Sequence, residues 1–545
     1  MIPLLVFLSL AGTALGLPNC DAEPLQLPLQ DVQVLSDKKD SFMRGIPAQI
    51  GRPVQNIVLL PWAELNNTWI YDSEAYCDKT IIWNDNICRV RRGNLLKEEE
   101  STTYIKANNI GAAGGAPTET YWDGSELGLK SLASSGLGGT DNFQVNGTQV
   151  LTGFPFGIPR LSWDHGYTML HPLGLGSNST YLNALRDAGQ LSSRIWSLFW
   201  GRMWVDEPVD GSLVLGGYDE NKVIGQNYTA PLNFGDFKGS SGCWTGMKVT
   251  ISDIKLNFRD GRDKSLFPPN TALSCCLVPQ RQLLLEAPFS YLETFENITQ
   301  TSPFDSPSYG LHWSAQLFDA KTAFDGDITF SLSSGLEIRV PNSQYMPPFV
   351  DIERNGSRIF KNETRELLIN GVDNQPATLG RYFFTSAYLM VDHDAGTFTL
   401  WKANPSKTSK LVKVTDLKTS TQCTNNPAAT EQPTEEAAAQ PRASGAVIGG
   451  SVAGGVVGLA LIVLAVFFFL RHKQRSNNVE DASRAESLGH SPGGYKSPVY
   501  AQAAKDNWQR GSYHVPQELP GSNPVPFEFE GSTQSVYEMG DGQRK

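Results

Sequence analysis

Few residues of this chain combine the type and the spacing that chemistry requires. His171 lies directly before Pro172 and is a candidate base. No serine or cysteine with a recognisable elbow motif accompanies it, so the favoured interpretation is a hydrogen-bonded structural histidine. The chain has seven histidines, and its seven cysteines include no pair with C-x-x-C spacing, which argues against a structural zinc site. We therefore expect no metal and no cofactor.

The elements that must position any site are mostly short strands. From about Ile46 to Trp401, alternating apolar residues are bounded by glycine, proline, asparagine and aspartate, the pattern of a mostly-β domain. Strands are predicted at residues 54–60, 68–71, 212–215, 248–256, 328–332, 388–391 and 397–401. Apolar residues at helical spacing predict helices at 180–188 and 291–297.

Two apolar segments predict how the chain is placed in a membrane. Residues 1–16 form an apolar run that ends in small residues, which we interpret as a signal peptide. Residues 445–470 carry no charge over 26 residues, and about 20 apolar residues span a bilayer. A basic group, Arg471-His472-Lys473, follows at once, so the tail is predicted to be cytoplasmic and the bulk of the chain outside. We expect a single-pass protein of the plasma membrane or a secretory-pathway membrane.

The segments on either side of the predicted span lack the composition of a folded core. Residues 403–444 are rich in Lys, Thr, Pro, Ala and Glu and are predicted to be a stalk. Residues 471–545 are rich in Ser, Gly, Pro, Gln and Asn and are predicted to be a disordered tail. This tail is either a docking site for a cytoplasmic adaptor or inert. The net charge of −11, with no basic block before the span, argues against nucleic-acid binding.

Glycosylation sequons and cysteines both lie entirely before the predicted span. This one-sided distribution fits a glycosylated ectodomain in an oxidising compartment, where disulfides form by default. The sequons are at Asn66, Asn146, Asn178, Asn227, Asn297, Asn355 and Asn362, and the cysteines are Cys20, Cys77, Cys88, Cys243, Cys275, Cys276 and Cys423. Cys77 and Cys88 close a short loop and are the predicted pair. The partners of the others stay open, and one of the seven must be unpaired or intermolecular.

Several motifs occur in an order that identifies a fold. They are Tyr121-Trp122-Asp123-Gly124-Ser125 with Gly128, then Asp141, Leu173-Gly174-Leu175-Gly176, Asp210-Gly211-Ser212-Leu213-Val214-Leu215-Gly216-Gly217-Tyr218-Asp219 and Thr378-Leu379-Gly380-Arg381-Tyr382-Phe383-Phe384. The chain thereby resembles the pepsin-like aspartic peptidases, and its overall architecture resembles fungal surface proteins of that family. The resemblance implies a two-lobed β fold with a central cleft, an ectodomain at 17–402 and lobes at about 45–220 and 221–402. Tyr121 and Gly124 would belong to the flap over the cleft.

The resemblance fails where the family carries its two catalytic aspartates. Counting back from Trp69 places the first position at Trp62-Ala63-Glu64, and counting back from Pro288 places the second at Pro279-Gln280-Arg281. The family mechanism needs two carboxylates that share a proton. No aspartate lies between Gly51 and Tyr71 or between Ser265 and Glu286, so a slip in register does not restore the pair. No catalytic residue is therefore predicted.

Three carboxylates near the lost positions are candidate substitutes, namely Glu64, Asp72 and Glu286. A glutamate side chain does not easily reproduce a symmetric pair within hydrogen-bond reach, so solvated loop carboxylates are the favoured interpretation. Arg281, if it faces the cleft, favours an ionised carboxylate partner or ligand. A glycan on Asn66 would require the first loop to face solvent.

Three functions remain open from the sequence. The leading hypothesis is a membrane-tethered pseudopeptidase that binds an extended peptide or a glycan in its cleft. The second is an active aspartic endopeptidase with relocated carboxylates. The third is a structural cell-surface or wall glycoprotein whose cleft has no ligand.

Overall fold

A computed structural model describes residues 21–74, 84–117, 119, 136–160, 170–234, 243–372 and 376–415. Within these ranges the chain is mostly β. The strands of the first half are β1 Leu25–Gln33, β2 Phe42–Ile50, β3 Gln55–Trp62, β4 Ile105–Ala107, β5 Leu137–Val145, β6 Leu151–Ile158, β7 His171–Gly174, β8 Ile195–Arg202, β9 Val209–Leu215, β10 Gly217–Asp219 and β11 Val223–Pro231. The strands of the second half are β12 Lys248–Asn257, β13 Asp263–Ser265, β14 Leu273–Leu277, β15 Leu285–Pro288, β16 Gln316–Asp319, β17 Asp327–Leu332, β18 Glu337–Val340, β19 Pro348–Ile352, β20 Arg358–Leu367, β21 Ile369–Val372, β22 Ala377–Leu379, β23 Ala387–Asp392, β24 Thr397–Ala403 and β25 Leu411–Lys413.

Helices are few and short in the described residues. They are α1 Asp85–Arg92, α2 Thr180–Asp187, α3 Phe289–Thr299 and α4 Asn342–Tyr345, with 3₁₀ turns at Glu98–Glu100, Glu220–Lys222 and Phe383–Thr385. Helix α2 begins where the Ser179 hydroxyl accepts the backbone N–H of Leu182, which satisfies one of the free donors of the first turn. The same hydroxyl donates to the carbonyl of Gly174 and so ties the start of α2 to the end of β7.

One sheet joins strands from both ends of the described chain. Its order is β11-β24-β23-β8-β9-β1-β2-β3-β7, and β4, β5 and β6 branch from it through β5 on β2. Strands β23 and β24 come from the second half of the chain but pair with β8 and β11. The two halves of the sequence therefore share one continuous sheet, antiparallel except where β3 pairs with β7.

A second sheet belongs to the second half alone. Its order is β18-β17-β12-β14-β22-β15-β21, with β13 on β12, and a separate three-stranded sheet has the order β16-β20-β19. Strand β17 shows why these segments are strands: Ile328, Phe330 and Leu332 are buried while the residues between them are partly exposed. Alternation of this kind places every second side chain in the core.

Parallel pairing in the described strands is confined to three pairs, one in the first half and two in the second. Strand β3 runs parallel to β7, from Leu59 beside His171 to Trp62 beside Gly174. In the second half β14 runs parallel to β22, and β15 runs parallel to β21. Parallel neighbours need long crossover connections. In each half, a loop follows one buried strand and lies against another strand that is about 100 residues later in the sequence.

Most of the predicted strands and both predicted helices are confirmed, with two corrections. Residues 68–71 are not a strand, because Trp69 makes only an isolated bridge to Gly157. The fold also extends beyond the predicted end of the ectodomain at 402: β25 lies in the predicted stalk and pairs with β10. Polar contacts hold this segment in place: the backbone N–H of Lys410 and the hydroxyl of Ser409 both donate to the carboxylate of Asp219.

Several predicted segments lie outside the described residues. They are the signal peptide at 1–16, the flap residues Tyr121 and Gly124, most of the stalk, the span at 445–470 and the tail at 471–545. Among the described residues, no helix is both long and apolar enough to cross a membrane.

Candidate functional site at the two crossover loops

The first loop, residues 62–68, follows β3 and is pinned by backbone hydrogen bonds. The carbonyl of Trp62 accepts from the N–H of Leu175 at 2.9 Å, and that of Leu65 accepts from Gly176 at 2.8 Å. The carbonyl of Asn66 accepts from Thr180 at 2.8 Å. The loop is thus held against the end of β7 and the start of α2.

The second loop, residues 278–284, is held by an equivalent set of bonds. The N–H of Gly380 donates to the carbonyl of Leu284 at 3.0 Å, and the N–H of Arg381 donates to that of Arg281 at 2.9 Å. A Cβ atom on Gly380 would overlap the carbonyl of Leu283, and one on Gly174 would overlap that of Asn67 in the first loop. Only glycine allows such a close approach, so both loops retain their supporting glycines.

An indole occupies the position predicted for the first aspartate. Trp62 is fully buried, and Ala63 is buried beside it. The Nε1–H of Trp62 donates to Oε1 of Glu64 at 3.3 Å. The predicted absence of an aspartate is therefore accompanied by a bulky apolar side chain, and the nearest carboxylate is engaged by that side chain.

Glu119 is a buried carboxylate beside the first loop that sequence reasoning missed. Its Oε2 accepts the backbone N–H groups of Asn66 and Asn67 at 3.0 and 3.1 Å. Its Oε1 accepts Nδ2 of Asn67 at 2.5 Å and Nε1 of Trp69 at 3.0 Å. Burial raises the pKa of the Glu119 carboxyl. The four donors have the opposite, smaller effect, because they favour the charged form. All four bonds stabilise the loop itself, and they account for both oxygens of the carboxylate.

A guanidinium contacts the segment predicted to hold the second aspartate. Pro279 and Gln280 are buried, and Arg381 donates from Nε to the carbonyl of Arg281 at 3.2 Å and from Nη2 to that of Gln280. The Arg381 side chain lies over the ring of Trp200, 5.0 Å from its centroid. Burial lowers the pKa of Arg381 to about 10. The second loop therefore carries positive charge at the position where the resemblance implies negative charge.

The three candidate substitutes have separate partners. Asp72 is 2% exposed and forms a two-pronged ion pair with Arg160, at 3.0 and 2.6 Å. Glu286 accepts the hydroxyl of Thr378 at 2.7 Å and lies 3.4 Å from Nε of Arg281. These ties make Asp72 and Glu286 structural carboxylates, rather than the solvated ones that the sequence favoured.

His171 is structural, as predicted. Its Nδ1 accepts the N–H of Tyr71 at 3.0 Å, and its Nε2 lies 3.1 Å from the carbonyl of Asn94. Burial lowers the pKa of His171 to about 3, so the ring stays neutral. Asp141 is also fully buried and accepts the hydroxyls of Ser101 and Thr103, which gives it a role in packing.

Asn66 corrects the expectation that the first loop faces solvent. Its side chain is 1% exposed, and its Oδ1 accepts the backbone N–H of Asn178 at 2.9 Å. A glycan on this side chain is incompatible with that packing. The asparagines of the remaining sequons are exposed, namely Asn146, Asn178, Asn227, Asn297, Asn355 and Asn362, and their glycosylation stays a prediction.

The cysteines include one pairing that spacing did not reveal. Cys243 and Cys276 form a disulfide, and the thiol of Cys275 is free and buried. Cys88 is disulfide-bonded, and its predicted partner Cys77 lies outside the described residues. No group of metal-ligating side chains occurs in the part of the chain that the structure describes.

Comparison with known proteins points to the same fold. Secreted aspartic protease 8 of Candida albicans is 22% identical over 353 residues, which cover 64% of this chain and 72% of that protein. The protein of the same name from strain SC5314 is 23% identical over 354 residues, with the same coverage. These matches support a distant relationship to the pepsin-like aspartic peptidases. None of the protein-family models matches the chain.

Proposed function

We propose that this chain is a membrane-anchored pseudopeptidase whose pepsin-like ectodomain binds an extended peptide without cleaving it. The observation that carries the proposal is the state of the two loops. Both keep the glycines and backbone hydrogen bonds that support a pepsin-like site, yet Trp62 and Pro279 replace the aspartates. A shared-proton mechanism has neither of its groups there.

The substitute carboxylates do not favour an active enzyme with relocated groups. Asp72 is neutralised by Arg160, and Glu286 lies beside Arg281. A nearby cation favours the ionised form of a carboxyl group, whereas the family mechanism needs one member of the pair to hold a proton at working pH. The fold is therefore retained while the acid–base chemistry is lost.

The proposed location follows from the sequence and the relatives. The relatives are named as secreted proteases, which supports passage through the secretory pathway. The apolar run at 445–470 and the basic residues after it support an anchored ectodomain with a cytoplasmic tail.

The test is hydrolysis by the purified ectodomain of a mixed peptide library from about pH 3 to about pH 7, the range over which paired carboxyl groups titrate. We expect no specific cleavage in the natural chain or in the variants Glu64→Gln and Glu286→Gln. Specific cleavage that is lost in either variant would overturn the proposal in favour of relocated carboxylates. Binding is then tested with the same library after immobilisation of the ectodomain, and absence of any saturable binding would favour a purely structural glycoprotein.

A further inference from the structure

Arg381 is a buried cation without an opposite charge to balance it. The residue is 6% exposed, and its two hydrogen bonds go to the backbone carbonyls of Gln280 and Arg281. A guanidinium has five N–H donors, and these bonds use two of them. No carboxylate of the described residues forms an ion pair with it. Because an uncompensated buried charge is strongly destabilising, such a group calls for a functional explanation.

Two residues that Arg381 contacts carry side-chain polar groups that lack partners within the described residues. The side-chain amide of Gln280 is buried, and neither its oxygen nor its nitrogen makes a hydrogen bond. The Nε1 of Trp200, whose ring lies against Arg381, is likewise buried without an acceptor. Buried polar groups are satisfied in the great majority of cases. Two such residues in contact with one buried cation indicate a site built to receive a polar partner.

The charges around Arg381 define the chemistry of that partner. Arg281, in the same loop, has a side chain that is 29% exposed, so it can reach both the loop and solvent. The nearest acidic groups are already engaged, since Glu286 accepts from Thr378 and Glu366 accepts from Ser308 and lies against His312. Glu286 also lies 3.4 Å from Nε of Arg281 and balances that charge, so the excess positive charge at the second loop is that of Arg381.

We propose that the second loop is a carboxylate-binding site, in which Arg381 and Arg281 hold an acidic side chain of the bound peptide. Gln280 and Trp200 supply further donors to the same carboxylate. Guanidinium and carboxylate groups match in shape and form paired, charge-assisted hydrogen bonds. This inference rests on the proposed binding function and names its ligand class: extended peptides that carry an aspartate or a glutamate.

The experiment measures how the full-length chain binds two fluorescent peptide pools that differ at one central position, aspartate in one and asparagine in the other. We expect the aspartate pool to bind about tenfold more tightly, since charge-assisted hydrogen bonds exceed neutral ones by that order. Arg281→Gln should remove the preference. Arg259→Gln, an exposed arginine in an ion pair with Asp325, is the matched control and should keep it.

A second variant tests the buried part of the site without replacing Arg381. Gln280→Leu removes the unpartnered amide and fills its space with apolar atoms, so it should fold and should also weaken the preference for aspartate. Succinate and inorganic phosphate are added as free competitors. Competition by succinate but not by phosphate supports a carboxylate site, and competition by phosphate alone overturns it.

The outcomes separate this inference from the proposed function. Equal binding of the two pools, unchanged by Arg281→Gln, overturns the carboxylate site and leaves a peptide-binding module. A second outcome is that neither pool binds, but succinate raises the unfolding temperature of the natural chain and not that of Arg281→Gln. This result supports a carboxylate site and shows that a peptide is not the source of the carboxylate. Absence of both effects overturns the two proposals together.

Discussion

The Nε1 atom of Trp69 lies 3.0 Å from Oε1 of Glu119, and this hydrogen bond links the residue that marks the first loop in the sequence to a carboxylate 50 residues away. The same carboxylate accepts the backbone N–H groups of Asn66 and Asn67. The first loop is therefore organised around an acidic group, but that group stabilises its conformation. A carboxylate with four donors directed at it has no remaining role as a base.

Replacement of Glu119 by alanine should destabilise the folded chain by at least about 3 kcal/mol, because several buried donors lose their acceptor at once and each costs about 1–3 kcal/mol. Urea denaturation of the ectodomain measures the change. Glu99, which is exposed, provides the control: Glu99→Ala should shift the free energy of unfolding by no more than about 0.5 kcal/mol. Equal midpoints for the two variants would contradict the role assigned to Glu119.

Local patterns predicted the strands, because alternation depends only on neighbouring residues. The alternation through Ile328, Phe330 and Leu332 is a property of six consecutive residues. Glu119 and Arg381 could not be predicted in this way. Each acts on a loop 50 to 100 residues away in sequence, and nothing in its own segment distinguishes it from a surface charge.

Acidification should destabilise this chain, in part because two histidines are buried in the neutral form. Burial lowers the pKa of His171 to about 3 and that of His393 to about 4, below the value of about 6.5 for an unfolded chain. The unfolded state therefore binds the proton first. Stability is highest above about pH 6.5 and falls as the pH drops toward about 3, by up to about 1.4 kcal/mol per pH unit for each histidine.

The contribution of His171 is isolated by comparing how steeply the free energy of unfolding depends on pH in the natural chain and in a variant. Free energies of unfolding are measured at about pH 7, 5.5 and 4, across the interval in which an unfolded histidine titrates. His171→Gln should lower the stability at neutral pH and flatten its dependence on pH. A slope identical to that of the natural chain would show that His171 does not stay neutral in the fold.

The disulfide between Cys243 and Cys276 joins residues 33 apart in sequence. Loop-closure entropy for that separation predicts that the double variant Cys243→Ser/Cys276→Ser loses roughly 3 to 4 kcal/mol of stability. Cys275 is adjacent in sequence to the disulfide-bonded Cys276. Burial raises the pKa of its thiol, so it should resist alkylation in the folded chain and react only in denaturant. Peptide mapping by mass spectrometry after iodoacetamide treatment checks this, and rapid alkylation of Cys275 without denaturant would refute its burial.

Glycopeptide mapping distinguishes the buried sequon from the exposed ones. Asn66 is packed against the N–H of Asn178 and should carry no glycan in the folded, secreted chain. Asn227 is exposed on the edge strand β11, so Asn227→Gln should reduce the mass by one glycan while Asn66→Gln leaves it unchanged. A glycan found on Asn66 would mean that the first loop does not adopt this conformation.

A buried polar network lies next to the second loop. Nδ1 of His312 is 2.6 Å from Oε2 of Glu366, Nε2 of His312 is 2.5 Å from the hydroxyl of Tyr382, and Ser308 donates to the other oxygen of Glu366 at 2.5 Å. Tyr382 follows Arg381 directly in the chain. The network therefore fixes the backbone from which the guanidinium reaches the loop.

Replacement of Glu366 by alanine should cost about 3–5 kcal/mol, because it leaves the ring of His312 and the hydroxyl of Ser308 buried without their acceptor. Tyr382→Phe removes one hydroxyl and should cost about 1 kcal/mol. Glu363 lies on the same strand but is exposed, so Glu363→Ala is the matched control and should change the stability little. Because the network supports Arg381, Tyr382→Phe should also weaken the preference for aspartate-containing peptides while the protein stays folded. If Tyr382→Phe lowers the unfolding temperature without any change in that preference, the network serves stability alone.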